Sequence, residues 1–167
     1  MPTSVLTRRA ALVSLGVLAA GLAGCNTTPT AAVQPGAAAP AGLRIGAVNV
    51  DTSPLVAYVG NPTAQWAQQA MPGALAQAFG ARMAPGDPGA QALSIRLDTL
   101  YLGGGGPADP DRIKGEATVG GHTISVHAVS TYFSSPTDQA LPEQALQGRV
   151  QALAVAFAYR LKRKLGA

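Results

Sequence analysis

The chain has 167 residues, which is enough for one domain of ordinary size and too few for two. Charged residues make up only 12% of the chain and aromatic residues 5%, so the sequence predicts one modest, alanine-rich core. The single cysteine excludes an internal disulfide framework and a cysteine-based zinc site, and two histidines leave little for metal chemistry. We therefore expect neither a metal nor a cofactor.

The first segment, residues 1–24, has the pattern of a cleaved export signal. Arg8 and Arg9 provide its charge, and an uncharged apolar run follows from Ala10 to Ala23. This run of about 14 residues is shorter than the roughly 20 that a membrane-spanning helix needs. It closes on a sequence that is similar to a bacterial lipobox, namely Leu22, Ala23, Gly24 and Cys25.

In a lipobox the cysteine thiol receives a diacylglyceryl group with acyl chains such as palmitate, the chain is cut before the cysteine, and the new amine is acylated. Two alternatives are an ordinary signal peptide with an incidental cysteine and an N-terminal anchor helix. The lipobox is favoured because the single cysteine, Cys25, occupies the one position that the motif requires.

Two details bear on the export route and the destination. The adjacent Arg8 and Arg9 resemble a twin-arginine signal, but adjacent arginines also occur in ordinary signals, so both routes stay open. Asn26 stands after the lipobox cysteine, where Asp would favour retention at the inner membrane. We expect a lipid-anchored protein of the cell envelope that faces the periplasm, at the outer rather than the inner membrane.

The mature chain predicted in this way has a tether and one domain. Residues 25–42 carry no charge and include three prolines, which predicts a tether between the lipid and a domain of residues 43–167. Loss of Arg8 and Arg9 leaves 10 basic and 8 acidic side chains, a net charge of +2. Four of these cations lie in the last eight residues, a distribution that does not favour nucleic-acid binding.

The first half of the domain predicts a strand and then a helix. Residues 43–51 alternate loosely, as a strand does. Asn61 and Pro62 are typical of a helix start, with the asparagine side chain as cap and proline in the first turn. Apolar residues continue at helical spacing to Met83, and Pro72-Gly73 within them predicts a kink or two short helices.

The second half predicts three strands and a long helix. Leu93, Ile95 and Leu97 alternate with polar residues, and residues 112–119 and 124–128 do the same. Between the last two, Gly120-Gly121 is typical of a tight hairpin turn. Pro142 to Leu165 predicts an amphipathic helix, whose apolar stripe is formed by Leu146, Val150, Leu153, Phe157 and Leu161.

These elements predict the α+β class, in the order β-α-β-β-β-α. Each helix has one apolar stripe, and the middle strands have one apolar and one polar face. A four-stranded, mostly antiparallel sheet with two helices packed on one face satisfies both patterns.

The glycine run from Gly103 to Gly106 invites comparison with a phosphate-binding loop. Such a loop leads into a helix, whereas here a strand follows, so an inter-strand loop is the better interpretation. Asp109 and Asp111 offer oxygens to Ca²⁺, but two carboxylates do not complete a loop site.

The polar face of the predicted sheet holds the remaining candidates. His127, Ser125 and Asp98 are the residue types of a hydrolase triad, without a nucleophile elbow or an obvious oxyanion hole. The face is either a solvated surface with weak ion pairs or a platform for a partner. Its candidate partner residues are Arg96, Asp98, Arg112, Lys114, Glu116 and His127.

The chain resembles small α/β envelope lipoproteins of Gram-negative bacteria, such as the lipopolysaccharide-assembly lipoprotein and the auxiliary lipoproteins of lipid-trafficking ABC transporters. The resemblance lies in the lipobox, the polar tether, the element order, and the Trp66 helix interrupted by Met71-Pro72-Gly73. It implies a non-enzymatic subunit that binds a protein partner of the envelope in lipid or lipopolysaccharide transport. The alternative is a periplasmic ligand-binding or hydrolytic domain that uses the polar face around His127.

Overall fold

A computed structural model of the protein describes residues 42–104, 106–133 and 135–167, with only the backbone described for Pro136 and Thr137. All of these residues belong to one compact unit. The predicted signal, the lipobox with Cys25 and almost all of the tether lie outside the described residues. None of the helices that the structure describes is both long and apolar enough to span a bilayer.

The element order confirms the predicted α+β class, with two short helices in addition. The elements are β1 (Ile45–Asp51), α1 (Ser53–Val59), α2 (Asn61–Phe79), β2 (Gln91–Tyr101), β3 (Asp111–Val119), β4 (His122–Ser130), α3 (Pro136–Ala140) and α4 (Pro142–Lys164). A 3-10 turn, Gly80–Arg82, follows α2.

The four strands form one sheet in the order β1-β2-β3-β4. The pair β1 and β2 is parallel, because the chain crosses over through α1 and α2, and the other two pairs are antiparallel. The mostly antiparallel sheet is therefore confirmed. Gly120 and Gly121 join β3 to β4 with φ angles of 58° and 78°, which are the positive values that the predicted tight turn requires.

A bulge in β2 changes which side chains face the core. Leu97 pairs with Gly115 and Thr99 with Lys114, so Asp98 is the extra residue. Alternation from Leu93 to Leu97 is as predicted, and after the bulge Leu100 is buried. The bulge thus places one more leucine in the core.

The helix α2 corrects the predicted cap and one of the two alternatives at Pro72-Gly73. It continues through Pro72 without ending, so the alternative of two short helices is wrong, and the kink stays a prediction. Pro72, Gly73 and Gln68 are all exposed, so water can reach the carbonyl of Gln68 that loses its helical partner. The helix also begins at Asn61 itself, with Gly60 as cap and no side-chain cap hydrogen bond.

The core lies between the sheet and the helices. The helix α4 packs on β3, β4 and α2, while α1 packs on β2. Val150, Leu153, Phe157 and Leu161 are fully buried, which confirms four positions of the predicted stripe.

The fifth position of that stripe, Leu146, is 37% exposed, so its predicted burial is wrong. One turn later, Arg149 contacts Asp111, which pairs with Ser130 at the end of the sheet. The first turns of α4 therefore project beyond the strands, and Leu146 has no strand beneath it.

Candidate functional site

The sheet face away from the helices, called the outer face here, carries the six predicted partner residues. Register places Arg96 beside Glu116, and Lys114 beside His127. Arg112 lies on the same face as Lys114 because it is two residues away in β3, and Asp98 contacts Arg96. The structure therefore brings together Arg96, Asp98, Arg112, Lys114, Glu116 and His127 on one surface.

Arg96 lies among three carboxylates on the outer face. Its guanidinium lies 3.3 Å from an oxygen of Asp98 and 4.0 Å from an oxygen of Glu116. Asp51 is its register partner on β1. The pKa of Asp51 is lowered, chiefly by hydrogen bonds from Ser53 and to a smaller extent by the Arg96 charge. These side chains are exposed or half-exposed, so each pair contributes about 0–1 kcal/mol.

A shallow depression lies on the outer face beside Arg96. It has a volume of about 360 Å³ and is lined by Val50 and Ile95 together with six polar or charged residues: Asn49, Asp51, Ser94, Arg96, Glu116 and Thr118. Side chains from β1, β2 and β3 meet there because these strands are neighbours in the sheet. The depression suits hydrogen bonding and ion pairing with a polar surface.

The three triad-type residues do not form a triad in this structure. Ser125 and His127 lie two residues apart on β4, whereas Asp98 is on β2, two strand spacings or about 10 Å away. No hydrogen bond among the described residues joins His127 to Ser125 or to Asp98. The exposed His127 instead borders a shallow depression of about 340 Å³ between β4 and α4.

The loop between β2 and β3 is held closed by Asp109. Its carboxylate accepts hydrogen bonds from the Gly104 amide at 2.7 Å and from the Tyr101 hydroxyl at 3.2 Å. The Gly104 bond is the largest cause of the lowered pKa of Asp109. Gly103 has no room for a side chain, since a Cβ there would lie 2.1 Å from the Asp109 carbonyl oxygen. Gly103 thus serves close packing of the loop, whereas Gly106 has open space around it and a positive φ of 72°.

Asp111 and Arg149 form a buried ion pair at the end of the sheet. Arg149 donates from Nη2 to Asp111 Oδ1 at 2.5 Å and from Nε to Oδ2 at 3.1 Å. The same Nη2 donates to the Gly103 carbonyl, and the Gly103 amide donates to Asp111 Oδ1. Asp111 is 1% exposed, and the hydrogen bonds that it accepts from Arg149 raise the pKa of that guanidinium. The pair ties the β2–β3 loop and β3 to α4.

The segment after β4 completes this cluster. The guanidinium of Arg149 lies 4.5 Å from the ring centre of Tyr132, a cation–π contact. The Tyr132 hydroxyl donates to Asp138, and the Ser135 amide donates to the same carboxylate at 2.5 Å. These hydrogen bonds lower the pKa of Asp138 and raise that of Tyr132. A cavity of about 350 Å³ lies beside them, lined also by Leu141 and Gln144.

Sequence reasoning missed this cluster, although one signal for it was present. Asp111 stands on the inward-facing positions of β3, among Ile113, Ala117 and Val119. A carboxylate on an apolar face requires a cationic or hydrogen-bonding partner. Asp109 and Asp111 are each occupied by such donors, and the described part of the chain has no cluster of three or more metal-ligating side chains.

Comparison with known proteins adds little to this geometry. No protein-family model matches the chain, and no curated protein matches it. Among solved structures, the chain is similar to the minor lipoprotein from Acinetobacter baumannii, with 9% sequence identity and a TM-score of 0.37. The similarity covers 74% of this chain and 94% of that one. A TM-score this low does not establish a shared fold or function.

Proposed function

We propose that the protein is a non-enzymatic lipoprotein of the bacterial cell envelope that binds an envelope protein through the outer face. The main support for a partner is the outer face itself, because no described helix covers this side of the sheet. The anchor rests on the lipobox-like sequence that ends at Cys25. The resemblance stated above supports lipid or lipopolysaccharide transport as the setting, and Asn26 supports the outer membrane.

The size of the outer face favours a protein partner. Four strands of up to nine paired residues, at strand spacings of about 4.8 Å, present about 600 Å². A standard protein interface buries about 800 Å² on each partner. We infer that the partner covers the whole face and also extends past one edge of the sheet, at β1 or β4.

The charge pattern indicates what the partner surface must offer. Cations and carboxylates alternate on the outer face, as in the group formed by Arg96, Asp98 and Glu116. Such a pattern is matched by a partner with charges of both signs in complementary positions. Exposed charges of this kind set specificity and association rate more than affinity.

Photocrosslinking in living cells tests the partner role. A photoreactive residue replaces Ser94 or Ser125, which are exposed on the outer face, or Gln69, which is exposed on α2, in the acylated full-length protein. We expect Ser94 and Ser125 to crosslink the same envelope protein, and Gln69 to crosslink it weakly or not at all. Equal crosslinking from Gln69, or no product from the two serine positions, would refute binding through the outer face.

A further inference from the structure

Cations and carboxylates of the domain are concentrated towards opposite ends of the sheet, along the strand direction. One end of the sheet, called the tether end here, holds the first residues of β1 and β2 and the Gly120-Gly121 turn. The chain enters the domain there, since Leu43 and Arg44 precede β1. The opposite end of the sheet, with its neighbouring loops and the first turn of α4, holds four of the eight described carboxylates: Asp109, Asp111, Asp138 and Glu143.

The helix α4 runs from that opposite end towards the tether end. Arg149 contacts Asp111 at the opposite end, and Ala156, seven residues later, lines a depression with His127 and Val129. Arg160 and Arg163, on the following turns, border the same depression. From Arg149 to Lys164 the helix rises by about 22 Å, most of the length of β4. Its last turns therefore lie towards the tether end.

Cations are concentrated at the tether end for this reason. Arg44 precedes β1, and Arg82 precedes Met83, which forms a bridge with Ile45. With the last turns of α4, this end and the adjoining part of β4 hold six of the ten described cations against one side-chain carboxylate, Asp87. These cations are Arg44, Arg82, Arg160, Lys162, Arg163 and Lys164.

Most of these cations are free to bind an external anion. Arg44 pairs with Asp87 at 2.5 Å. Arg160, Arg163 and Lys164 are exposed, and none of them forms an ion pair with a carboxylate in the described ranges. Unpaired cations on one end of a domain generate a positive potential that attracts an anionic surface.

We propose that the tether end binds the anionic headgroups of the membrane that carries the protein. This proposal rests on the proposed lipid anchor, because only 17 residues separate Cys25 from Leu43 and can span at most about 60 Å. The tether thus brings the domain to the membrane by the same end that holds the cations. Docked in this way, the strands stand away from the membrane, and the outer face points sideways towards a neighbouring envelope protein.

Vesicle binding tests the surface without the anchor. The chain from Asn26 to Ala167, without the predicted signal and Cys25, is mixed with vesicles of phosphatidylcholine alone or with phosphatidylglycerol, and the bound fraction is measured by sedimentation. One variant carries Lys162→Gln, Arg163→Gln and Lys164→Gln. The matched control carries Arg96→Gln, Arg112→Gln and Lys114→Gln, which removes the same charge from the outer face.

The parent and the control are expected to prefer the anionic vesicles, and added salt should weaken this preference. The α4 variant should lose at least tenfold in binding to them, since each cation near an anionic surface contributes about fivefold. Equal losses in both triple variants, or no preference of the parent for anionic vesicles, would overturn the proposal. Neither result would bear on the acylation of Cys25 or on crosslinking from the outer face, which are tested by the other experiments.

Discussion

Replacing Arg149 with alanine is expected to lower the free energy of unfolding by about 3–5 kcal/mol. The substitution leaves the carboxylate of Asp111, which is 1% exposed, without its cationic partner. Removing one member of a buried ion pair has this cost because the remaining charge stays desolvated and uncompensated. Loss of the contacts to Gly103 and Tyr132 adds to the effect. Urea unfolding followed by circular dichroism measures the change.

Arg112→Ala provides the matched control, since it removes an exposed arginine from an ion pair with a neighbouring aspartate. Arg112 lies 3.8 Å from Asp109, and both side chains are 42% exposed. An exposed pair contributes about 0–1 kcal/mol, so this variant should unfold close to the parent. Equal destabilisation by Arg149→Ala and Arg112→Ala would contradict the structural role assigned to the buried pair.

Replacing Phe157 with alanine should be about as damaging, for a different reason. Phe157 is a fully buried side chain of α4, and its truncation leaves a cavity between the helices and the sheet. Removing a buried phenylalanine side chain costs about 3–5 kcal/mol. For a domain of this size, that loss lowers the melting temperature by about 10–20 °C. Leu153→Ala, at another fully buried position, should cost about 2–5 kcal/mol.

Two comparisons make the Phe157 prediction specific. Leu146→Ala, at the partly exposed position of the same helix, should change the unfolding free energy by about 1 kcal/mol or less. Neutralising Lys162, Arg163 and Lys164 together should cost a few tenths of a kcal/mol for each charge, because their stabilising effect is that of cations at a helix C-terminus. If the charge variant unfolded more readily than Phe157→Ala, the packing of α4 on the sheet would be wrong.

The sheet and the last helix were predictable because their patterns are local. Alternation over residues 112–119 and 124–128, with two glycines between them, defines a hairpin without any distant contact. The sequence left open whether the helix ends at Pro72, because the effect of a proline depends on solvent at the freed carbonyl, which only the packing of α2 reveals. The burial of Leu146 was predicted wrongly because an apolar stripe on a helix does not show where the sheet beneath the helix ends.

The candidate surfaces were only partly predictable. The outer face follows from strand alternation, so its six residues could be grouped from the sequence. Asp111 and Arg149 are 38 positions apart in the sequence. No local pattern predicts which residue pairs with an inward-facing aspartate. The sorting of charge towards the tether end likewise depends on the path of α4 across the sheet. These non-local features needed the folded chain.

The acylation state of Cys25 tests the proposed anchor most directly. Intact-mass measurement of the full-length protein purified from membranes should give a chain that begins at Cys25 and carries the mass of a diacylglyceryl group and a third acyl chain. The Cys25→Ser variant should lack this mass and either keep residues 1–24 or leave the membrane. A wild-type protein with an unmodified thiol at Cys25, or with an N-terminus elsewhere, would contradict the lipoprotein account.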